Sequence, residues 1–223
     1  MLRCRDTYVK GNDGIYVNLF IGSTIQVEKV AGTNVEMVQK TDYPWSGKVS
    51  ITVNPKESKE FTLYVRVPDR STSDLYTCLP KVSGMKSISV NGKSVSIKPV
   101  NGYIAIKGKW KAGDKVELEL PMQVQTIIAD NHIVADRGKV AIKYGPLIYN
   151  VEEADGQDIS KSIGTGQLTP EWRGDLLSGI MTIKGKWADG TPLLAIPNYA
   201  RNNRKATPDA KTTGGSLVWI KKE

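Results

Sequence analysis

The only histidine of the sequence, His132, is the first side chain to consider for catalysis. Asp130 and Asp136 lie beside it. A histidine that acts as a general base, or that activates a nucleophile, needs partners within hydrogen-bond reach. Asparagine and aspartate next to a histidine are also typical of an ordinary polar loop. We therefore interpret His132 as part of a polar loop.

Two pairs of carboxylates are the next candidates, because glycoside cleavage uses two carboxyl groups that face each other across a cleft. Glu117 and Glu119 alternate along one predicted strand, so they point the same way, toward solvent. Glu152 and Glu153 are adjacent at the end of another strand. We interpret both pairs as solvated side chains and not as an acid and its base.

The two cysteines, Cys4 and Cys78, are too few for a disulfide framework, and whether they pair with each other is left open. Neither lies in a CxxC pair or near the histidine, so no zinc ligand spacing is present. The sequence also lacks GxSxG, Walker A and GxGxxG motifs. Residue chemistry alone identifies no reaction, and we predict no catalytic, cofactor-binding or metal-binding residue in this chain.

Aromatic side chains on a β-sheet can bind sugars, because the apolar face of a sugar stacks on an aromatic ring. The candidates for such contacts are Tyr43, Trp45, Trp110 and Trp172. Each of them could equally fill a hydrophobic core or close one end of a sandwich. They are the predicted sugar contacts for the case in which the chain binds carbohydrate.

The clearest structural signal runs from Gly102 to Met122. Apolar and charged or small residues alternate over 104–110 and again over 115–120. Because successive side chains of a strand point to opposite faces, this alternation predicts a sheet with one buried and one solvated face. The turn residues 112–114 between the two arms predict a β-hairpin.

Most of the chain repeats this pattern, with at least eight predicted strands before residue 122 and turns every 8–12 residues. Asn91-Gly92 is the strongest hairpin turn, and 70–84 is predicted to be a long loop. After residue 122 the strands are shorter, and 152–174 is predicted to be a loop with one helical turn near 170–173. The predicted fold class is all-β, with two antiparallel, jelly-roll-like β-sandwich domains over 1–122 and 123–223.

The net charge of +8 is spread along the chain. A nucleic-acid surface would require a concentrated basic stripe, so we predict no nucleic-acid partner. No stretch approaches the ~20 apolar residues of a membrane span, and residues 1–14 lack the apolar core of a secretory signal. The localisation of the chain is therefore not predicted, and its direct start in a strand pattern suggests a fragment of a longer protein.

A series of short phrases points to one protein family. They are YVNLFI (16–21), DYPWSG (42–47), VRVP (65–68), VNG (90–92), WKAGD (110–114), LPM (120–122), DRG (136–138), YGPL (144–147), AIPNYA (195–200), NR (203–204) and VWI (218–220). In this order they resemble the C-terminal part of glycoside hydrolase family 127, the β-L-arabinofuranosidase-like enzymes.

The resemblance implies a division of labour within a longer protein. An N-terminal (α/α)₆ barrel would carry the active site, with a zinc-bound cysteine thiolate as nucleophile and a glutamate as acid/base. No catalytic position of the family maps onto this chain, and Cys4 lacks the adjacent cysteine of the family pattern. We expect two non-catalytic β domains that support this missing barrel, in a parent protein of the periplasm or the cell exterior. A homodimer is left open, and the alternative function is a carbohydrate-binding module for arabinose-containing glycans.

Overall fold

The computed structural model describes residues 7–68, 73–82, 84–204 and 214–223. Within these ranges the chain forms nineteen strands, three short 3-10 turns and no α-helix, so the predicted all-β class is confirmed. No helix in the described ranges is long and apolar enough to cross a membrane. The strands are β1 (Tyr8–Lys10), β2 (Gly14–Val17), β3 (Ser23–Val30), β4 (Thr33–Thr41), β5 (Lys48–Pro55), β6 (Lys59–Arg66), β7 (Tyr76–Leu79), β8 (Ser87–Val90), β9 (Lys93–Ser94), β10 (Tyr103–Trp110), β11 (Asp114–Glu119), β12 (Val124–Ala129), β13 (Lys139–Tyr144), β14 (Leu147–Glu152), β15 (Thr169–Arg173), β16 (Ile180–Lys186), β17 (Pro192–Pro197), β18 (Ser216–Leu217) and β19 (Ile220–Lys221). The 3-10 turns are Val134–Asp136, Glu153–Asp155 and Asn198–Ala200.

The chain divides into two compact units. The first contains the described residues between positions 1 and 70 and between 83 and 121, and the second contains those between 71 and 82 and between 122 and 223. Residues 73–82 thus belong to the second unit, whereas the sequence-based division placed them in the first domain.

The prediction of one loop over 70–84 is wrong for Tyr76–Leu79, because these residues form β7 and pair with β12. As an edge strand, β7 keeps most of its side chains in solvent, so it lacks the alternation that marks a half-buried strand.

The first unit is a sandwich of two sheets. One sheet has the order β1-β2-β6-β10 and the other has the order β3-β4-β5-β11-β8-β9. Neighbouring strands are antiparallel except for the parallel pair β2 and β6. The inward side chains of both sheets, among them Leu63 of the first and Ile51 of the second, form one hydrophobic cluster. Burial of this cluster removes apolar surface from water and holds the two sheets face to face.

The hairpin predicted over 102–122 is wrong in its pairing, although both of its strands exist. Strand β10 pairs with β6, whereas β11 lies in the other sheet between β5 and β8. The turn at 112–114 therefore carries the chain from one sheet to the other. Alternation defines which face of each strand is buried, and both sheets of a sandwich bury the same kind of face. The hairpin at Asn91-Gly92, which joins β8 and β9, is confirmed.

The second unit is built on one curled, nine-stranded sheet. Its main path is β15-β16-β17-β14-β13-β12-β7, with β18 beside β14 and β19 beside β13. Tyr149, Ile183 and Trp187 are fully or almost fully buried in its core. The predicted helical turn near 170–173 is wrong, because Thr169–Arg173 form β15 and pair with β16.

Candidate functional site

Trp110, one of the four predicted sugar contacts, lies in the core of the first unit. Its side chain is only 2% exposed. The indole Nε1 donates a hydrogen bond to the carbonyl oxygen of Phe61 at 3.0 Å, and the two rings stack with centroids 5.9 Å apart. A buried indole whose N–H has found a partner is a core residue. Trp110 thus contributes packing and is not exposed to a ligand.

The other three predicted aromatics occupy different places. Tyr43 is partly buried and packs edge-on against Phe20, with centroids 6.2 Å apart. Trp45 follows it in the same turn and is also partly buried. Trp172 lies in the second unit on the edge strand β15, with 51% of its surface exposed. Of the four predicted aromatics, Trp110 is therefore buried, Tyr43 and Trp45 belong to the first unit, and Trp172 belongs to the second.

His132 lies on an exposed turn of the second unit. Its side chain is 95% exposed, and its Nδ1 is 2.5 Å from the Oδ1 of Asp130. Hydrogen bonds from the backbone N–H and the ring of His132 lower the pKa of Asp130. Within the described ranges, no group of three or more His, Cys, Asp or Glu residues could hold a metal ion. Cys4 lies outside the described residues, so its pairing with Cys78 stays open.

Glu152 differs from the sequence-based interpretation. It was interpreted as a solvated side chain, but it is only 1% exposed. Its carboxylate accepts hydrogen bonds from Nη2 of Arg204 and from the backbone N–H of Asn202, both at 2.7 Å. Arg204 also pairs with Asp155. An opposite charge and a backbone N–H replace the water that a buried carboxylate loses, so this network can anchor the segment 198–204 to the end of β14.

The outer face of the four-stranded sheet carries a cluster of three tyrosines that the sequence reading did not single out. Tyr16 on β2 is directly opposite Tyr64 on β6, and Tyr103 lies on β10. The rings of Tyr16 and Tyr64 stack with centroids 4.3 Å apart and an angle of 9°, and Tyr103 meets Tyr16 edge-on at 5.2 Å. All three occupy outward positions, because their neighbours along each strand, such as Ile15 and Leu63, point into the core.

Two hydroxyl groups of this cluster are fixed by hydrogen bonds. Tyr64 donates to the carboxylate Oδ2 of Asp13 at 2.7 Å, and Tyr103 donates to the side-chain oxygen of Asn18 at 2.7 Å. The hydrogen bond to Asp13 is the main cause that raises the pKa of Tyr64 above its ordinary value. The stack against Tyr16 and the hydrogen bond to Asp13 together hold the ring of Tyr64 in place.

A cleft of about 570 Å³ opens beside Tyr64 and Tyr103, and we call it the tyrosine cleft. It is lined by Tyr64, Tyr103, Ile104, Ala105, Val95, Ser96, Lys98, Val100 and Asn101. Val100 forms one wall and is 72% exposed. The backbones of Val100 and Tyr103 exchange two hydrogen bonds, of 2.9 and 3.0 Å, which fix this wall against β10.

A second depression, of about 510 Å³, lies on the outer face of the six-stranded sheet. Short hydroxyl side chains at Ser50, Ser87 and Ser89 line it, together with Glu117 and Glu119. The two glutamates lie on the same outer face of β11 and do not oppose each other across the depression. Glu119 pairs with Lys86 at 3.0 Å. This surface has hydrogen-bonding groups, but none of the described residues that line it is aromatic.

Comparison with known proteins places this architecture among the glycoside hydrolases. Residues 14–122 match the family model described as the β-L-arabinofuranosidase, GH127 middle domain. Residues 124–212 match the glycoside hydrolase family 127 C-terminal domain. Together the two models cover most of the chain, and the resemblance seen in the short phrases is confirmed.

Individual β-arabinofuranosidases are also similar to this chain. The chain is similar to a non-reducing end β-L-arabinofuranosidase of Bifidobacterium longum subsp. longum, with 27% identity over 78% of this chain and 25% of that protein. Two solved structures align with 97% of this chain. One is a GH127 β-arabinofuranosidase (TM-score 0.85, 27% identity, 36% of that chain), and the other is a GH127 β-L-arabinofuranosidase from Geobacillus stearothermophilus T6 (TM-score 0.80, 30% identity, 35% of that chain). The chain thus spans about a quarter to a third of the length of these relatives.

Proposed function

The chain belongs to glycoside hydrolase family 127, and we propose that it is the non-catalytic accessory part of a β-L-arabinofuranosidase-like enzyme. The observation that carries this proposal is the match of its two stretches to the family's middle and C-terminal domains. In the parent protein, an N-terminal catalytic barrel would precede these domains. The zinc and the nucleophilic cysteine of such an enzyme would belong to that barrel.

Exposed apolar side chains in the first unit support a role in holding another domain. Leu19 and Ile21, in the connection from β2 to β3, expose 37% and 51% of their surface. The amide of the buried Gln39 donates hydrogen bonds to both of their carbonyl oxygens, at 3.1 and 2.7 Å. The backbone of this connection is therefore held in place while two large apolar side chains face outward. A partner domain that covered them would gain hydrophobic free energy at little cost in chain entropy.

A second support comes from Tyr199 in the second unit. It is 62% exposed on the 3-10 turn Asn198–Ala200. Arg204 follows this turn in the chain, and its ion pair with Glu152 ties the segment to the end of β14. An exposed tyrosine on an anchored turn is the kind of rigid, amphipathic side chain that interfaces use as an anchor.

A direct assay tests the non-catalytic part of the proposal. The purified chain is incubated with an aryl β-L-arabinofuranoside, with and without added zinc, beside the Geobacillus relative as positive control. We expect turnover by the relative and none by this chain. Turnover that rises with the concentration of this chain would refute the proposal.

Association with a catalytic domain tests the supporting role. The reading frame immediately upstream is sequenced, and the barrel that it is expected to encode is co-expressed with this chain. We expect the two to co-purify, and Ile21→Lys to weaken the complex more than Ile97→Lys, an exposed apolar position outside that connection. Absence of both co-purification and any rise in the barrel's thermal midpoint would contradict a supporting role.

Carbohydrate binding, the alternative function, could use only those predicted aromatics that are not buried. Trp110 is buried, and Trp172 lies in the second unit, apart in sequence from Tyr43 and Trp45. A carbohydrate-binding role would therefore rest on Tyr43, Trp45 or Trp172, or on other aromatic residues that the tertiary structure brings together.

A further inference from the structure

We propose that the tyrosine cleft of the first unit is a binding site for a neutral saccharide. The site is distinct from the four aromatic residues predicted from the sequence. It also does not depend on the supporting role proposed above, because its lining does not include Leu19, Ile21 or Tyr199. Its volume of about 570 Å³ lies within the range of roughly 300–1,000 Å³ that is typical of small-molecule sites.

The stacking surface is one face of the Tyr64 ring. Tyr16 on β2 covers the opposite face of this ring, in the parallel stack described above. On the β10 side, the residue directly opposite Tyr64 is Ala105, which is exposed and covers little of the ring with its single methyl group. The cleft opens over Ala105, where the CH groups of a sugar ring could pack against Tyr64.

Two valines of the lining, Val95 and Val100, are also suited to the apolar side of a sugar. Val95 is partly buried against the core, and Val100 is largely exposed. The hydrogen bonds between Val100 and Tyr103 hold Val100 in position before a ligand arrives. A pre-formed cleft loses little conformational entropy on binding, and weak sugar contacts depend on that saving.

Polar groups among the lining residues match the hydroxyl groups of a sugar. The phenol of Tyr64 donates its proton to Asp13 and that of Tyr103 donates to Asn18, and a phenol oxygen that donates can still accept. Ser96 and Asn101 add side chains that can both donate and accept. Sugar hydroxyl groups could therefore donate to the phenol oxygens of Tyr64 and Tyr103, which are held in place, and could accept hydrogen bonds from Ser96 and Asn101.

The charges of the lining favour a neutral ligand. Among the described residues that line the cleft, Lys98 is the one that carries a charge, and it is exposed. Recognition of a phosphate or carboxylate would require several converging cations or backbone N–H groups. The combination of one open aromatic face, two valines and neutral hydroxyl or amide groups instead fits a ligand with one apolar face and a hydroxyl edge.

Affinity electrophoresis of the whole purified chain tests the proposal. Native gels contain arabinoxylan, arabinogalactan or mixed-linkage β-glucan, and a gel without polysaccharide is the reference. We expect retardation in at least one of the three, and isothermal titration with an oligosaccharide of the retarding polymer then gives the affinity. Migration unchanged in all three gels would overturn the proposal.

Three variants locate the binding. Ala105→Arg places a long side chain in the cleft from an exposed position, and Tyr64→Ala removes the open ring face. Both are expected to weaken binding about tenfold or more, whereas Trp172→Ala should bind as the unchanged chain does. Ala105 is exposed, so Ala105→Arg removes no core contact, and an unchanged urea midpoint would show that this variant folds. Its result is therefore valid even if Tyr64→Ala fails to fold. Full binding by Ala105→Arg, or loss of binding in Trp172→Ala alone, would overturn the proposal.

The same variants separate this proposal from the supporting role. If the cleft were instead a contact surface for the catalytic barrel, Ala105→Arg would weaken co-purification, and the unchanged chain would show no retardation by any glycan. That result would overturn the saccharide site and leave the supporting role intact. Glycan binding without association to the barrel would instead support the saccharide site and contradict the supporting role.

Discussion

Replacement of Trp110 tests most directly how this sequence uses its aromatic residues. A tryptophan side chain that becomes buried removes about 150–250 Å² from water. At about 25 cal/mol per Å², burial of the nearly inaccessible Trp110 is worth about 4–6 kcal/mol as an upper limit. Measured substitutions of buried Phe or Trp by Ala cost about 3–5 kcal/mol. We therefore expect Trp110→Ala to lower the free energy of unfolding of the first unit by about 4 kcal/mol.

A milder variant separates packing from hydrogen bonding. Trp110→Phe keeps an aromatic ring against Phe61 but leaves the carbonyl oxygen of Phe61 without the indole donor. The loss of one buried hydrogen bond costs about 1–3 kcal/mol. We expect the order of stability to be the unchanged chain, then Trp110→Phe, then Trp110→Ala.

Urea denaturation followed by circular dichroism measures these differences. With a slope of about 2 kcal/mol/M, typical of a small domain, a loss of about 4 kcal/mol lowers the midpoint by about 2 M. Hydrogen exchange in β5 and β6 assigns the change to the first unit. Trp172→Ala is the control, and because about half of Trp172 is exposed, the second unit should lose no more than about half as much. An unchanged midpoint in Trp110→Ala, together with lost glycan binding, would refute the assignment of Trp110 to the core.

Three further predictions test the backbone, the ion pairs and the pH dependence. Gly14→Ala would place a Cβ 1.8 Å from the carbonyl oxygen of Thr62, so it should lower the free energy of unfolding by about 3 kcal/mol in a thermal melt. Gly22→Ala, whose added Cβ would have no neighbour nearer than 3.8 Å, is the control and should be close to neutral. Equal thermal midpoints for the two variants would contradict the contact at Gly14. Arg204→Met leaves its two carboxylate partners without a counter-charge and should destabilise the second unit by about 3–5 kcal/mol in urea, and an unchanged midpoint would argue against the network. Burial raises the pKa of Tyr149, so the folded chain keeps a proton that the unfolded chain loses above about pH 10. Stability should therefore fall as pH rises beyond that value, and Tyr149→Phe should reduce the slope; identical slopes would exclude this cause.

Alternation along single strands was sufficient to predict much of the fold. Val49, Ile51 and Val53 face inward on β5, and Phe61 and Leu63 do so on β6, as their spacing indicates. The turn at Asn91-Gly92 was also predictable, since both residues adopt positive φ angles that suit a two-residue hairpin. These features depend on neighbours within a few residues, so local sequence is enough to predict them.

The partners of each strand could not be predicted in the same way. Strands β10 and β11 are joined by a short turn, and yet they lie in different sheets. The exposed edge strand β7 has no burial pattern, and it joins the second unit through its pairing with β12. Pairing of this kind depends on which distant segment offers hydrogen-bonding groups, and the order of residues within one strand does not record it.

For the candidate site, too, local sequence predicts some features and only the packing of the chain decides the others. The sequence by itself determined the all-β class, the family and the buried face of most strands, because these follow from local periodicity and ordered short phrases. Only the tertiary structure brought together Tyr16, Tyr64 and Tyr103 on one face, buried Glu152 against Arg204, and placed Trp110 in the core. Each of these results depends on contacts between residues dozens of positions apart, and such contacts arise only when the chain packs its strands into sheets.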